Sequence, residues 1–118
     1  MIQIDNKEYG CPVDIFSDIF NDRYKMYIVW HLQDGPKRFK DLTELISSIT
    51  QKTLSSKLKE LEARHIIYRE AFAEIPPRVE YTLAPMGNKL EHVLKNIFDW
   101  GDTYALKYAK EYKGACKK

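Results

Sequence analysis

A chain of 118 residues, 44% hydrophobic and 31% charged, is sized for one globular domain with a modest core. Its formal net charge of +2 names no partner, and no apolar run nears the roughly 18 residues of a membrane span. Two cysteines, Cys11 and Cys116, lie near opposite ends without CxxC spacing or clustered histidines, which excludes a zinc ribbon or a disulfide scaffold.

The first ten residues, MIQIDNKEYG, lack the basic and apolar regions of a secretory signal and read as an N-terminal extension. A cytoplasmic protein with reduced thiols is expected. Over residues 13–20, Val13, Phe16 and Phe20 fall at i, i+3 and i+7, an amphipathic helix with Pro12 suited to its first turn. Residues 24–32 are apolar nearly all round, which predicts a central buried helix stopped by Gly35 and Pro36. Phe39, Leu42, Leu45 and Ile46 share one face of a short third helix. Thr50 is a candidate N-cap for a fourth helix running to about Arg64, with Leu54, Leu58 and Leu61 on its apolar face. Its far side is Lys52, Ser55, Ser56 and Lys59, which is small, polar and basic.

The period then changes. Residues 66–72 and 79–83 are rich in β-branched and aromatic residues, and Val79, Tyr81 and Leu83 alternate with polar neighbours. Pro76 and Pro77 between them cannot lie inside a central strand, so they mark the tip of a hairpin. From Met86 the helical period returns and carries an apolar stripe through Tyr112, longer than a small domain can cover by itself. No internal repeat or low-complexity segment interrupts the chain. The order helix, helix, helix, helix, hairpin, long helix predicts a mainly α fold of winged helix-turn-helix type; a small helical bundle with an incidental hairpin is the competitor.

Charge is uneven along this order. Residues 1–36 hold 3 basic and 6 acidic side chains, 37–64 hold 7 and 4, and 65–118 hold 9 and 7. The positive stretch contains the fourth helix. It suits phosphate contact, and it equally fits ordinary solvated helices.

Four segments carry more than a pattern: CPVD at 11–14, VWHLQDGPKRFKDL at 29–42, TQKTLSSKLKELE at 50–62 and IPPRVEYTLAPMG at 75–87. Together and in this order they resemble the HxlR-type winged helix-turn-helix transcriptional regulators, over residues 11–108. Residues 109–118 form a basic tail beyond the matched region. Two stretches depart from the family pattern. Asn21, Asp22, Arg23, Tyr24 and Lys25 stand where members show Gly-Gly-Lys-Trp, and Ala84-Pro85-Met86-Gly87 replaces Thr-Pro-Leu-Gly. The resemblance implies a cytoplasmic homodimer, joined by its terminal helices, that binds a palindromic stretch of double-stranded DNA. It implies no cofactor, no metal and no membrane, and it leaves any small-molecule effector unspecified.

On this reading the fourth helix enters the major groove, capped by Thr50. Gln51 can pair with adenine, Lys52 and Lys59 can reach guanine edges or phosphates, and Thr53, Ser55 and Ser56 can bond bases or phosphates without bulk. Lys37, Arg38 and Lys40 at the third helix are candidate phosphate clamps. In the hairpin, Arg69 and Arg78 can reach phosphate or a narrow minor groove, while Glu74 and Glu80 offer Arg78 an ion pair instead; both readings stand. Trp30, His31, Tyr81 and Trp100 are expected to be structural.

Cys11 has two readings. In some members of the family the cysteine of the matching Cys-Pro senses electrophiles or oxidants, and a thiol at a helix N-terminus favours thiolate. The other reading is a small buried packing residue. Cys116 is a candidate resolving thiol from the other subunit. A protein-interaction module without DNA binding is the alternative function. No nucleophile-elbow, P-loop or metal-ligand spacing supports an enzyme.

Overall fold

Local rules set the element boundaries in the computed structural model, which describes residues 1–114. Helix α1 (Pro12–Ile19) starts with proline at its first position, where a missing N–H costs nothing. Helix α2 (Arg23–Leu32) is capped by Asp22, whose carboxylate accepts from the Lys25 N–H at 3.1 Å, and ends before Gly35 at φ +129°. Helix α3 (Phe39–Leu45) has Asp41 reaching back to accept from the Arg38 N–H at 2.9 Å. Helix α4 (Gln51–Ala63) is capped by the Thr50 hydroxyl, which accepts from the Thr53 N–H at 3.1 Å, as expected.

The end of α4 is closed by two hydrogen bonds. The Ile66 N–H donates to the Leu61 carbonyl at 3.0 Å, and the His65 N–H donates to the Glu62 carbonyl at 3.2 Å, with His65 at φ +65°. This is a Schellman closure with histidine in the position glycine usually takes. His65 therefore has a backbone role.

Strands β3 (Ile67–Phe72) and β4 (Arg78–Leu83) pair antiparallel, with Ile67 opposite Leu83 and Phe72 opposite Arg78. A further strand position joins them: Lys37 and Tyr81 exchange backbone hydrogen bonds of 3.1 and 2.8 Å. The entry to α3 is thereby tied to the hairpin. The core lies between α2, α3, α4 and the hairpin base, with Ile28, Leu42, Leu54 and Leu61 at 0% exposure. Burying each such side chain stabilises the fold by about 2 kcal/mol. Leu54, Leu58 and Leu61 hold the inner face of α4 on α2 and β3.

The structure differs from the sequence reading at both ends. Residues 1–10 form a hairpin, β1 (Ile2–Ile4) and β2 (Lys7–Tyr9), turned at Asp5 with φ +52°. The expected long helix is two: α5 (Pro85–Asn88) and α6 (Glu91–Tyr108), joined through Lys89 and Leu90. Before the break, α5 lies so close to the hairpin base that a Cβ at Gly87 would stand 2.3 Å from the Ile66 carbonyl oxygen. Tyr112 is not part of the helical stripe, because α6 has ended and the Tyr112 hydroxyl donates to Asp102 at 2.6 Å. No helix among the described residues is long and apolar enough to cross a membrane.

Hairpin β1–β2 is held by one carboxylate. Asp18 on α1 accepts from the Tyr9 hydroxyl at 2.6 Å, from Lys7 at 3.0 Å and from Arg64 at 3.1 Å. Arg64 also donates to the Tyr9 hydroxyl at 2.8 Å. The Tyr9 hydroxyl first, then Lys7 and Arg64, hold the Asp18 carboxyl well below the usual carboxylate range. A lowered folded-state pKa stabilises fully above the ordinary value of 3.8 and is lost as pH falls below it toward the folded value. Asp18→Asn is expected to show at neutral pH the weakened hairpin protection that wild type shows only in strong acid. Amide hydrogen exchange at Tyr9 measures it, and unchanged protection in the variant would remove Asp18 as the anchor.

Candidate nucleic-acid interface

The apolar and polar faces of α4 are cleanly separated. Leu54, Leu58 and Leu61 are buried, while Gln51, Lys52, Ser56 and Lys59 are exposed. Thr53 and Ser55 are half-buried at the edges, and Thr50 is exposed at the cap. Between α3 and α4 the chain turns through Ser48 at φ +69°. Arg38 and Lys40 are exposed at the start of α3 and Lys37 is half-buried beside them, its backbone fixed on β4.

Ion pairs sort the basic stretch into two groups. Of its seven cations, Lys57 pairs with Asp22 at 2.9 Å and with Glu60 at 3.6 Å, and Arg64 pairs with Asp18 at 3.1 Å. The other five are Lys37, Arg38, Lys40, Lys52 and Lys59. Among the described residues none of them has a carboxylate partner in a salt bridge. The two consumed cations fix α4 in place, and the remaining five are the ones the sequence singles out.

Sequence reasoning missed a buried cation that also ties α2 to α4. Lys25 on α2 is 3% exposed, and its ammonium donates to the Ile19 carbonyl at 3.0 Å, to Asn21 at 3.3 Å and to Glu60 of α4 at 3.4 Å. Burial pushes the Asp22 carboxyl up, but Lys57 and the Lys25 backbone N–H outweigh it and leave the group lowered. Asp22 in turn raises Lys57. Both members of this pair stay charged at neutral pH. The Lys25–Glu60 contact joins residues 35 apart in sequence, beyond what spacing reveals.

In the hairpin, Arg69 is exposed, whereas Arg78 takes the ion-pair alternative. Its guanidinium lies 2.8 Å from Glu74, 3.5 Å from Glu80 and 4.1 Å from the Phe72 ring centroid. Cys11 is exposed at the N-cap of α1, which overturns the buried packing role; it is too near the surface turn before Pro12 to enter the core. Cys116 lies outside the described residues. Trp30 packs on Phe98 at 4.6 Å, but Trp100 is 69% exposed and stacks in an outward ladder with Tyr104 and Tyr108.

A short helix, a tight turn, a second helix with a bare polar face and a hairpin rooted on the first helix's entry define a winged helix-turn-helix protein. This is the architecture of DNA-binding transcriptional regulators. The chain belongs to the HxlR-like helix-turn-helix family, whose model matches residues 19–109. It is 42% identical over 95 residues to the HTH-type transcriptional regulator YdeP of Bacillus subtilis, covering 80% of this chain and 74% of that one. The reduced form of the redox regulator HypR superposes with a TM-score of 0.77 at 34% identity, covering 86% of this chain and 100% of that one. Diamide-treated YodB from B. subtilis superposes with a TM-score of 0.67 at 35% identity, covering 88% and 100%. The chain is thus a helix-turn-helix transcriptional regulator.

Proposed function

We propose that the chain acts in the cytoplasm as a homodimer that lays one α4 into each of two major grooves of a palindromic site. The half-sites would lie about one DNA turn, roughly 34 Å, apart. The observation that carries this is the division of α4: a leucine face sealed in the core, and an outward face of Gln51, Lys52, Ser56 and Lys59 with no acidic partner in a salt bridge among the described residues. Lys37, Arg38 and Lys40 clamp phosphates beside it, and Thr50, Thr53 and Ser55 line the groove edge. The exposed α6 stripe, Val93, Ile97, Trp100, Tyr104 and Tyr108, supports a self-association surface. The chain turns over no substrate in this reading.

Cys11 is the responsive group. Its exposed thiol sits at the junction of β2 and α1, and relatives of known structure include a protein named as a redox regulator. One experiment tests both parts: fluorescence anisotropy with duplex DNA from upstream of the chain's own gene, for wild type and Cys11→Ser, with and without diamide. Five phosphate-facing cations per protomer predict a log–log salt slope of about −9 for the dimer. Diamide is expected to change wild-type affinity and leave Cys11→Ser unmoved. Salt-independent affinity would remove the groove contact; equal responses to diamide would remove Cys11.

A further inference from the structure

The wing is armed differently from what its arginines suggest. Residues 70–80 carry Glu70, Glu74 and Glu80 against one cation, Arg78, and Glu70 stands directly opposite Glu80 in the strand register. Phosphate contact by Arg78 would break its ion pairs with Glu74 and Glu80 and its stacking on Phe72. The wing from residue 70 to residue 80 is therefore net acidic, with the exposed Arg69 just below it on β3. At the tip the balance is different. Glu74 is neutralised by Arg78 at 2.8 Å, and the leading residues are Ile75, Pro76 and Pro77, all exposed.

Ile75 is 102% exposed, so its side chain contributes no packing to the protomer. A β-branched side chain left wholly in water gains by any burial. Two prolines after it restrict the tip, which lowers the entropy cost of ordering it against a partner. The minor groove presents sugar C–H surface and a base floor into which apolar side chains wedge, partly unstacking one step. Pyrimidine–purine steps yield most readily.

We infer that Ile75 is an apolar wedge that enters the minor groove flanking each half-site and selects operators with a deformable pyrimidine–purine step there. Arg78 serves it by neutralising Glu74, so that an uncharged tip meets the groove. The inference rests on the DNA docking proposed above and adds a specificity residue to it.

The test uses the full chain and the upstream duplex, first footprinted to locate the half-sites. The adenine analogue 2-aminopurine is then placed at the flanking TA or CA step. Wild type is expected to raise its fluorescence several-fold on binding, reporting unstacking. Ile75→Ser is expected to abolish that rise and to weaken binding at least about tenfold on this duplex, while binding to random-sequence DNA is unchanged. Ile75→Leu is expected to restore both. Replacing the flanking step by a stiff A-tract is expected to weaken wild type and leave Ile75→Ser where it was. An Ile75→Ser variant with wild-type affinity and fluorescence overturns the wedge while the groove contact of α4 stands. A wild-type chain that binds neither duplex overturns both.

Discussion

Ser56→Glu is expected to lower affinity for the upstream duplex at least about a hundredfold, with thermal stability unchanged. Ser56 is exposed in the middle of α4, on the face opposite Leu54, Leu58 and Leu61. A hydroxyl there lets the helix backbone approach the base edges, and it can donate or accept. Glutamate is longer, accepts only, and brings a charge into a field of phosphates. Leaving a charged group unpaired at a desolvated contact costs about 3 kcal/mol, which is a factor of about a hundred in affinity. The protomer does not register the change, because the side chain faces solvent and glutamate is a good helix former. Ser56→Ala separates clearance from contact: it keeps the space and loses only the hydroxyl, so a loss of less than about tenfold is expected. Lys52→Ala is expected to cost about tenfold. Anisotropy titrations at one fixed salt concentration measure all three, and circular dichroism melts provide the control. Wild-type affinity in a Lys52→Ala, Ser56→Glu double variant would dismiss α4 as the reading helix.

The second large effect is on stability. Gly87→Ala is expected to destabilise the fold by about 3 kcal/mol and to lower the melting midpoint by about 10 °C. A Cβ there would lie 2.3 Å from the Ile66 carbonyl oxygen and 3.0 Å from a Leu83 methyl. The oxygen cannot swing aside, because it already accepts the Ala84 N–H at 2.9 Å, and the Ile66 N–H closes the end of α4. Relief must come from moving α5, and α6 moves with it. Gly101 is the contrast: a Cβ there meets nothing within 4 Å in the protomer. Alanine at a helix-interior glycine gains about 0.5–1 kcal/mol. Denaturant unfolding of the two variants at equal protein concentration decides the matter. A Gly87→Ala protein as stable as wild type would mean that the contact relaxes at little cost.

Most of the fold is legible where one local rule acts without competition. Thr50 caps α4 because its hydroxyl is in reach of a free N–H, and the leucine period of α4 needs only helical geometry. Pro76 and Pro77 mark the wing tip because neither can donate to a ladder. The N-terminal hairpin is harder to see because its strands are three residues each, although Asp5 and Asn6 between Ile4 and Lys7 are turn residues and were its one local signal. The break before α6 is hidden because Lys89 and Leu90 keep near-helical dihedrals, so the apolar period runs through it.

The candidate site is legible as a set of outward cations, because the helical period puts Lys52 and Lys59 on the far side of α4, but the carboxylates that hold the other cations are not all in view. Lys57 and Lys59 are alike in sequence and neighbours in α4, yet one is held by Asp22 and the other faces solvent. Arg69 and Arg78 diverge in the same way. Lys57 finds its partner in Asp22, far back in the chain, whereas Arg78 finds its partners close by in Glu74 and Glu80. Ile75 escaped notice because an isolated exposed isoleucine has no pattern; its meaning comes from the charges neutralised beside it.

The two tryptophans occupy unlike surroundings, and this makes the protein its own optical instrument. Trp30 is half-buried against the Phe98 ring at 4.6 Å, so its emission follows the integrity of the core. Trp100 stands 69% exposed in the outer ladder of α6, so its emission colour and its access to a soluble quencher follow whatever covers that helix. With either one replaced by phenylalanine, the remaining indole reports unfolding or association separately, without any added dye.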